Sequence, residues 1–138
     1  MSYLLDTNVI SELIRTKPNL KVVNWIKSVP DDSLFVSVLS FGEIRKGIEK
    51  LPETKKKEKL RVWFEHELVS WFGKRVLSID QVVADRWGRL LASEHRPLAA
   101  IDSLIAATAL HFDLALVTRN ENNFQYQSLE IINPWKVG

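Results

Sequence analysis

Three carboxylates stand where apolar stretches end or helical ones begin. Asp6 directly follows Tyr3-Leu4-Leu5. Ser37, Ser40 and Glu43 follow the run that starts at Leu34. Asp102 opens a helical stretch after Pro97, and Thr118, Arg119 and Asn120 follow Ala115–Val117. Carboxylates drawn within a few ångströms of each other repel unless they are protonated or share a cation. The chain has no Cys, and its three His (66, 95 and 111) share no motif with the acids. The donors are therefore oxygens alone, which suits Mg²⁺ or Mn²⁺. Such an ion activates water and holds a phosphodiester oxygen, the logic of metal-dependent nucleases.

Each acid also has a plain structural reading. Asp6 before Thr7 fits a helix N-cap. Ser40-Phe41-Gly42-Glu43 fits a capping box, with Glu43 reaching back to the Ser40 backbone. Asp102 near the start of its helix fits a helix-dipole partner. One such residue says little; three at one edge of one sheet say more.

The elements that must position them follow from the hydrophobic pattern. Tyr3–Leu5, Leu34–Val38, Val76–Ile79, Ala115–Val117 and Leu129–Ile132 are short apolar runs without clean alternation, as expected of strands buried on both faces of a parallel sheet. Helical periodicity covers Val9–Arg15, Leu20–Val29, Phe41–Leu51, Lys55–Phe72, Gln81–Glu94 and Ile101–Phe112. Asn19 and Asp80 are N-cap candidates, Pro52 separates the third and fourth helices, and Gly73 closes the fourth. Strands alternating with helices define an α/β class with a mainly parallel sheet. In such a sheet the functional crevice lies beyond the carboxyl ends of the strands, where these acids fall.

The 138 residues fit one domain, 1–138, with 46% hydrophobic and 26% charged residues, a globular composition rather than a disordered one. The absence of Cys excludes a disulfide framework, a thiolate metal site and a Cys nucleophile. The first apolar run is cut short by Asp6-Thr7-Asn8, so no secretory signal is read, and no run approaches a membrane span. A cytoplasmic protein is the expectation.

The net charge is only +2 but uneven: residues 45–61 hold eight basic and three acidic side chains, a local +5 that leaves the rest at −3. That segment reads either as a surface for a phosphate backbone or as a solvated face. Arg45, Lys46, Arg86 and Arg119 are the candidate contacts to RNA phosphates, Arg86 having surface pairing as its plainer reading. Trp25, Trp63, Trp71 and Trp87 recur on apolar helical faces and read as packing residues, with Trp63 and Trp71 able to form a partner-binding patch.

The same residues carry a family resemblance. Leu4-Leu5-Asp6-Thr7-Asn8-Val9-Ile10-Ser11-Glu12-Leu13 resembles the opening of PIN-domain proteins, and more closely the VapC ribonuclease toxins of bacterial toxin–antitoxin modules, in their FitB-like branch. Ser37–Ile48, Ile101–Ala109 and Leu116–Asn120 with Phe124 resemble the second, third and fourth motifs, and Ile131–Trp135 a typical ending. The resemblance spans essentially the whole chain. It implies a PIN-like fold with a five-stranded sheet flanked by helices, and Mg²⁺- or Mn²⁺-dependent cleavage of RNA. It also implies a homodimer and a small VapB-like antitoxin covering the acidic pocket. Carried over by motif, Asp6, Glu43 and Asp102 are the metal-site acids; on chemical grounds Asn120 and Thr118 are expected to orient the network around them and Asn8 to hydrogen-bond the ligating carboxylates. Amides stand at 120 and 123 where relatives often have acids. An amide adds no charge, so one well-held ion is expected.

Three alternatives bound this reading. A haloacid-dehalogenase-type phosphatase needs a second Asp two residues after the nucleophile, where this chain has Asn8. A phospho-receiver domain needs an acidic pair before Asp6, where Leu4-Leu5 stands. A non-catalytic module on the same fold, binding RNA or protein without cutting, remains the competing function.

Overall fold

The computed structural model describes residues 1–126 and 128–137. Five strands form one sheet: β1 (Tyr3–Leu5), β2 (Leu34–Ser37), β3 (Val76–Leu77), β4 (Ala115–Val117) and β5 (Ile131–Ile132). Their order is β3-β2-β1-β4-β5, and each neighbouring pair is parallel. The α/β expectation is met. The chain leaves β1 toward β2 on one side and returns through β4 on the other, so the end of β1 is a topological switch point, where such sheets bind ligands.

Helices cover both faces: α1 (Thr7–Leu13), α2 (Leu20–Lys27), α3 (Val38–Glu49), α4 (Lys55–Val62), α5 (Val69–Phe72), α6 (Gln81–Ser93) and α7 (Ala100–His111). Successive strand residues feed opposite cores, because side chains alternate across a strand. Leu5 and Val117 join Val9, Ile10, Ile44 and Phe64 on one face. Leu4 and Leu116 join Ile105, Ala106 and Phe124 on the other. All three residues of β4 are buried, which explains its lack of polar alternation.

Asn19 and Asp80 cap α2 and α6 as expected, accepting from the amides of Lys21 and Val83. Several boundaries differ from the sequence reading. Helix α1 starts at Thr7, not Val9, because Asp6 accepts from the Thr7 amide and caps the helix itself. Helix α3 starts at Val38, not Phe41, because its cap is Ser37, which accepts from the Leu39 amide at 3.1 Å. Ser40 therefore lies inside the helix, and Glu43 is too far along it to close the expected capping box. Ser78-Ile79 and Leu129-Glu130 lie outside β3 and β5, although the Glu130 carbonyl still accepts from the Leu116 amide at 2.9 Å.

The expected helix Lys55–Phe72 is interrupted: residues Trp63–Leu68 form a π-helical segment between α4 and α5. Phe64, Leu68 and Phe72 are all buried at four-residue spacing. At 3.6 residues per turn that spacing walks around an α-helix, and the wider turn of a π segment brings the three back onto one stripe. Gly73 ends the rod at φ +52°, a conformation that favours glycine. No helix among the described residues is long and apolar enough to cross a membrane.

Candidate active site

The register of the sheet assembles the site. Leu5 lies opposite Val36 of β2 and Val117 of β4, so the next residues, Asp6, Ser37 and Thr118, sit side by side at the carboxyl edge. Asp6 is buried, at 6% exposure, and surrounded by donors. The Thr7 amide donates to its Oδ1 at 2.8 Å, and Thr118 Oγ1 to its Oδ2 at 2.8 Å. Asn8 Nδ2 donates to the same Oδ2 and to Thr118 Oγ1, both at 3.3 Å. Thr118 Oγ1 also accepts from the Asn120 amide at 3.1 Å, and Asn8 Oδ1 from the Arg119 amide at 3.3 Å. The motif that begins at Asp6 and the motif around Thr118 are thus one polar network.

Glu43 joins from α3. Its Oε1 accepts from Thr7 Oγ1 at 2.6 Å, so the hydroxyl beside Asp6 steers Glu43 toward the β1 edge. Asp102 comes from the first turn of α7 and is partly buried. The three acids lie within each other's fields. Burial pushes the Asp6 carboxyl above the usual carboxylate range, and the charges of Asp102 and Glu43 add to it, although the Thr118 and Thr7 hydrogen bonds oppose them. Asp102 is also raised, first by burial and then by Glu43. A cation placed among these carboxylates would offset that cost.

The residues fit a hard cation by donor chemistry. They offer carboxylate, hydroxyl and amide oxygens, and among the described residues no Lys, Arg or His forms a salt bridge with any of the three acids. Among the described residues no group of three or more His, Cys, Asp or Glu side chains is arranged so as to hold a metal ion by itself. A partial oxygen set matches Mg²⁺, which keeps several of its waters. Ser40 Oγ, fully buried one turn before Glu43, has no hydrogen-bond partner among the described residues and adds polarity on that side.

The candidate cations are scattered. Arg119 is exposed at the site edge, with its guanidinium 5.3 Å over the Trp135 ring. Arg45 is engaged elsewhere, paired with Glu65 at 3.1 Å and 4.9 Å over the Phe64 ring. Lys46 is exposed on α3. Arg86 lies at the opposite edge of the sheet, lining a pocket with Met1, Asp113, Ala115 and Glu130, residues that lead into the strands. Two of the eight cations in the basic 45–61 segment are answered by its own acids. Lys57 is buried, bonding Glu53 and the Glu49 carbonyl, while Arg61 pairs with Glu58 and Glu49. Lys55, Lys56 and Lys59 border a groove with Leu13, Ile14 and Trp63, away from the acids. Sequence reasoning missed Thr7, whose role depends on Glu43 crossing from another element. It also missed Tyr126, a buried phenol raised by its burial and within the fields of Asp102 and Arg96. Neither had a local signal.

Thr118 is the hinge of this network, fully buried with one donated and two accepted hydrogen bonds. Thr118→Val keeps its shape but strips a donor from Asp6 and an acceptor from Asn8 and Asn120. The expected cost is about 1–3 kcal/mol in urea unfolding, the range for stranding a buried polar group. Activity is expected to fall about 10–100-fold, the usual effect of losing a group that orients a metal ligand. A variant unchanged in both would remove Thr118 from the site.

A parallel α/β domain that gathers a buried, a half-buried and an exposed carboxylate at its topological switch point is the class these features define. The chain belongs to the PIN domain family, whose pattern matches residues 3–127. It is similar to the plasmid stability protein StbB of Pseudomonas syringae pv. tomato, 38% identical with 96% of this chain and 98% of that one covered. It is 36% identical to the toxin FitB of Neisseria gonorrhoeae, covering 96% and 97%. The crystal structure of FitAcB from that organism superposes with a TM-score of 0.91 at 34% identity, covering 98% of this chain and 99% of that one. The VapC ribonuclease Y4jK of Sinorhizobium fredii is 32% identical, covering 96% and 97%.

Proposed function

We propose that this protein is a metal-dependent endoribonuclease that serves as the toxin of a toxin–antitoxin pair. The observation that carries the reading is the convergence of Asp6, Glu43 and Asp102 at the switch point, with the first and third held above their ordinary pKa. The relatives named as a VapC ribonuclease and a toxin support it.

In this reading Asp6 and Asp102 hold Mg²⁺ or Mn²⁺, and Glu43 completes the set through water or positions the attacking water. The ion, when bound, supplies charge to a phosphodiester oxygen and lowers the pKa of a water. Thr118 and Asn8 fix the Asp6 carboxylate by donating to Oδ2, so one oxygen direction is set before substrate arrives. Thr7 fixes Glu43 in the same way. Asn120, anchored through its amide to Thr118, adds a neutral oxygen.

The proposed partner is a small antitoxin that covers the acidic pocket. An apolar cavity of about 270 Å³ supports a protein partner: Leu13, Ile14, Ile26, Trp63, Leu68 and Trp71 line it, and Trp71 is 42% exposed. The homodimer implied by the family resemblance belongs to the same proposal. The competing reading is a PIN-fold module that binds without cutting: the three acids count against it, and the amides at 120 and 123, which add no charge, keep it open.

Incubating the purified protein with total cellular RNA in Mg²⁺, Mn²⁺ or EDTA, beside Asp102→Asn, decides between them. Discrete fragments are expected with metal, none in EDTA and none from the variant. Folded, antitoxin-free protein that cuts nothing under either metal would establish the binding module instead.

A further inference from the structure

We propose that Arg96 seated on Tyr126 and Arg119 seated on Trp135 form two anchors that grip single-stranded RNA on either side of the acids. The inference rests on the ribonuclease reading above and deepens it. Three carboxylates repel a polyanion, so phosphate must be drawn to them by cations close by. In the basic 45–61 segment Arg45 is tied to Glu65, and Lys57 and Arg61 to the segment's own acids, while Arg86 lines a pocket at the opposite edge; Arg119 adjoins the acid network, and Arg96 lies on the segment that leads into Asp102.

Arg119 directly adjoins the acid network. Its backbone amide donates to Asn8 Oδ1, and its carbonyl accepts from Asn133 Nδ2 at 3.4 Å. The main chain is fixed on both sides while the guanidinium makes no hydrogen bond among the described residues and lies over the Trp135 ring. Arg96 stands in the segment that leads into the Asp102 turn. Its Cζ is 5.4 Å over the Tyr126 ring, its Nη2 donates to the Gln125 carbonyl at 3.3 Å, and its Nε pairs with Glu94 at 3.3 Å. Nη1 has no partner among the described residues, which leaves that edge of the fork for a phosphate.

The two seats are the ends of one short span, Arg119 to Tyr126. Between them the turn Glu121–Phe124 is pinned into the core by Phe124, which is fully buried. An arginine stacked on a ring has already lost most of its rotamer freedom, so it loses less when it forks onto phosphate. A polar pocket of about 390 Å³ beside Arg119, bordered by Glu121, Asn133, Trp135 and Lys136, offers the side-chain amides of Asn120, Asn122 and Asn123 to a base edge.

The test uses the full chain carrying Asp102→Asn, so that substrate survives, and reads anisotropy of a labelled, mixed-sequence single-stranded RNA in Mg²⁺ across a salt series. Arg96→Ala and Arg119→Ala are each expected to weaken binding about 3–10-fold and to lower the salt slope by about 0.7, one phosphate contact on a single strand. Arg96→Lys is expected to restore the slope but not the affinity, because an ammonium does not stack or fork. Arg89→Ala, whose side chain pairs with Asp85 on exposed α6, is the control and is expected to bind as the parent does. The inference is overturned if both arginine variants bind within twofold of the parent at unchanged slope, or if Arg89→Ala loses as much as they do. The same substitutions in the active chain separate the two levels: metal-dependent cleavage with unaltered binding sinks the anchors alone. Absence of metal-dependent cleavage and of RNA binding in the unsubstituted chain sinks both.

Discussion

Asp6→Asn is expected to abolish cleavage and, without metal, to make the protein more heat-stable. Removing the carboxylate deletes the donor on which the Asp6–Asp102 set depends, and a loss of about 10³-fold or more is expected, the scale for a preorganised electrostatic group at a reacting centre. The stability gain has the opposite origin. Asp6 is buried beside two other acids and its pKa is raised, so at neutral pH its charge opposes folding. A folded-state pKa above the unfolded one means the folded protein binds the proton more tightly, so this group's contribution to stability grows as pH falls through the raised pKa. The difference in Tm between Asp6→Asn and the parent in EDTA is therefore largest near neutral pH and shrinks toward acid. Glu53 and Glu121 run the other way, lowered by the Lys57 and Lys136 hydrogen bonds, but they are common to both proteins and cancel in the comparison. Mg²⁺ is expected to raise the parent Tm and not the variant's, with the rise fading at low pH as protons compete for the same oxygens. Scanning fluorimetry over a pH series, with Mg²⁺ and with EDTA, reads all of this. A variant that melts below the parent in EDTA at neutral pH and responds equally to Mg²⁺ would refute the cation role of Asp6.

Phe124→Ala is expected to be the most damaging apolar truncation. Phe124 is the largest of the fully buried side chains, packed with Leu4, Ile105, Ala106 and Leu116 in the core on the α7 face. Its loss leaves a cavity and is expected to cost about 3–5 kcal/mol. Set against a typical domain stability of about 5–15 kcal/mol, that brings the protein near its threshold at physiological temperature. The effect is local as well as global, because Phe124 pins the span between Arg119 and Tyr126. In urea titrations the midpoint is expected to fall sharply for Phe124→Ala and much less for Phe124→Leu, which refills most of the space. At low temperature, where the Ala variant is still folded, its RNA affinity is expected to drop as the two arginine seats lose their support. A folded Ala variant with parental affinity would show that the span is held by its hydrogen bonds alone.

Much of this was legible along the chain because it rests on short-range chemistry. Unalternating apolar runs such as Ala115–Val117 mark strands covered on both faces, and Asn19 and Asp80 cap helices through amides two or three residues away. The acids were legible as well, since Asp6, Glu43 and Asp102 sit in motifs placed after apolar runs. Local chemistry also misled: Ser40 and Glu43 satisfy a capping-box pattern, but Ser37 caps the helix, and Thr7 takes Glu43. What only the tertiary structure decided are contacts whose partners are far apart in the chain. Thr118 reaches Asp6 across 112 residues because β4 pairs with β1 in one register. A one-residue slip would move Thr118 out of line with Asp6 and turn its side chain to the other face. The same holds for Arg96 over Tyr126 and Arg119 over Trp135, where nothing in either segment names its partner. The basic 45–61 stretch shows the limit most plainly. Its charge is visible in the sequence, but which of its cations are tied up, Arg45 by Glu65 and Lys57 and Arg61 by acids of the same stretch, is set by how α3 packs on α4 and the segment after it. Composition determines which charges the chain carries, and the strand order and register decide which of them meet.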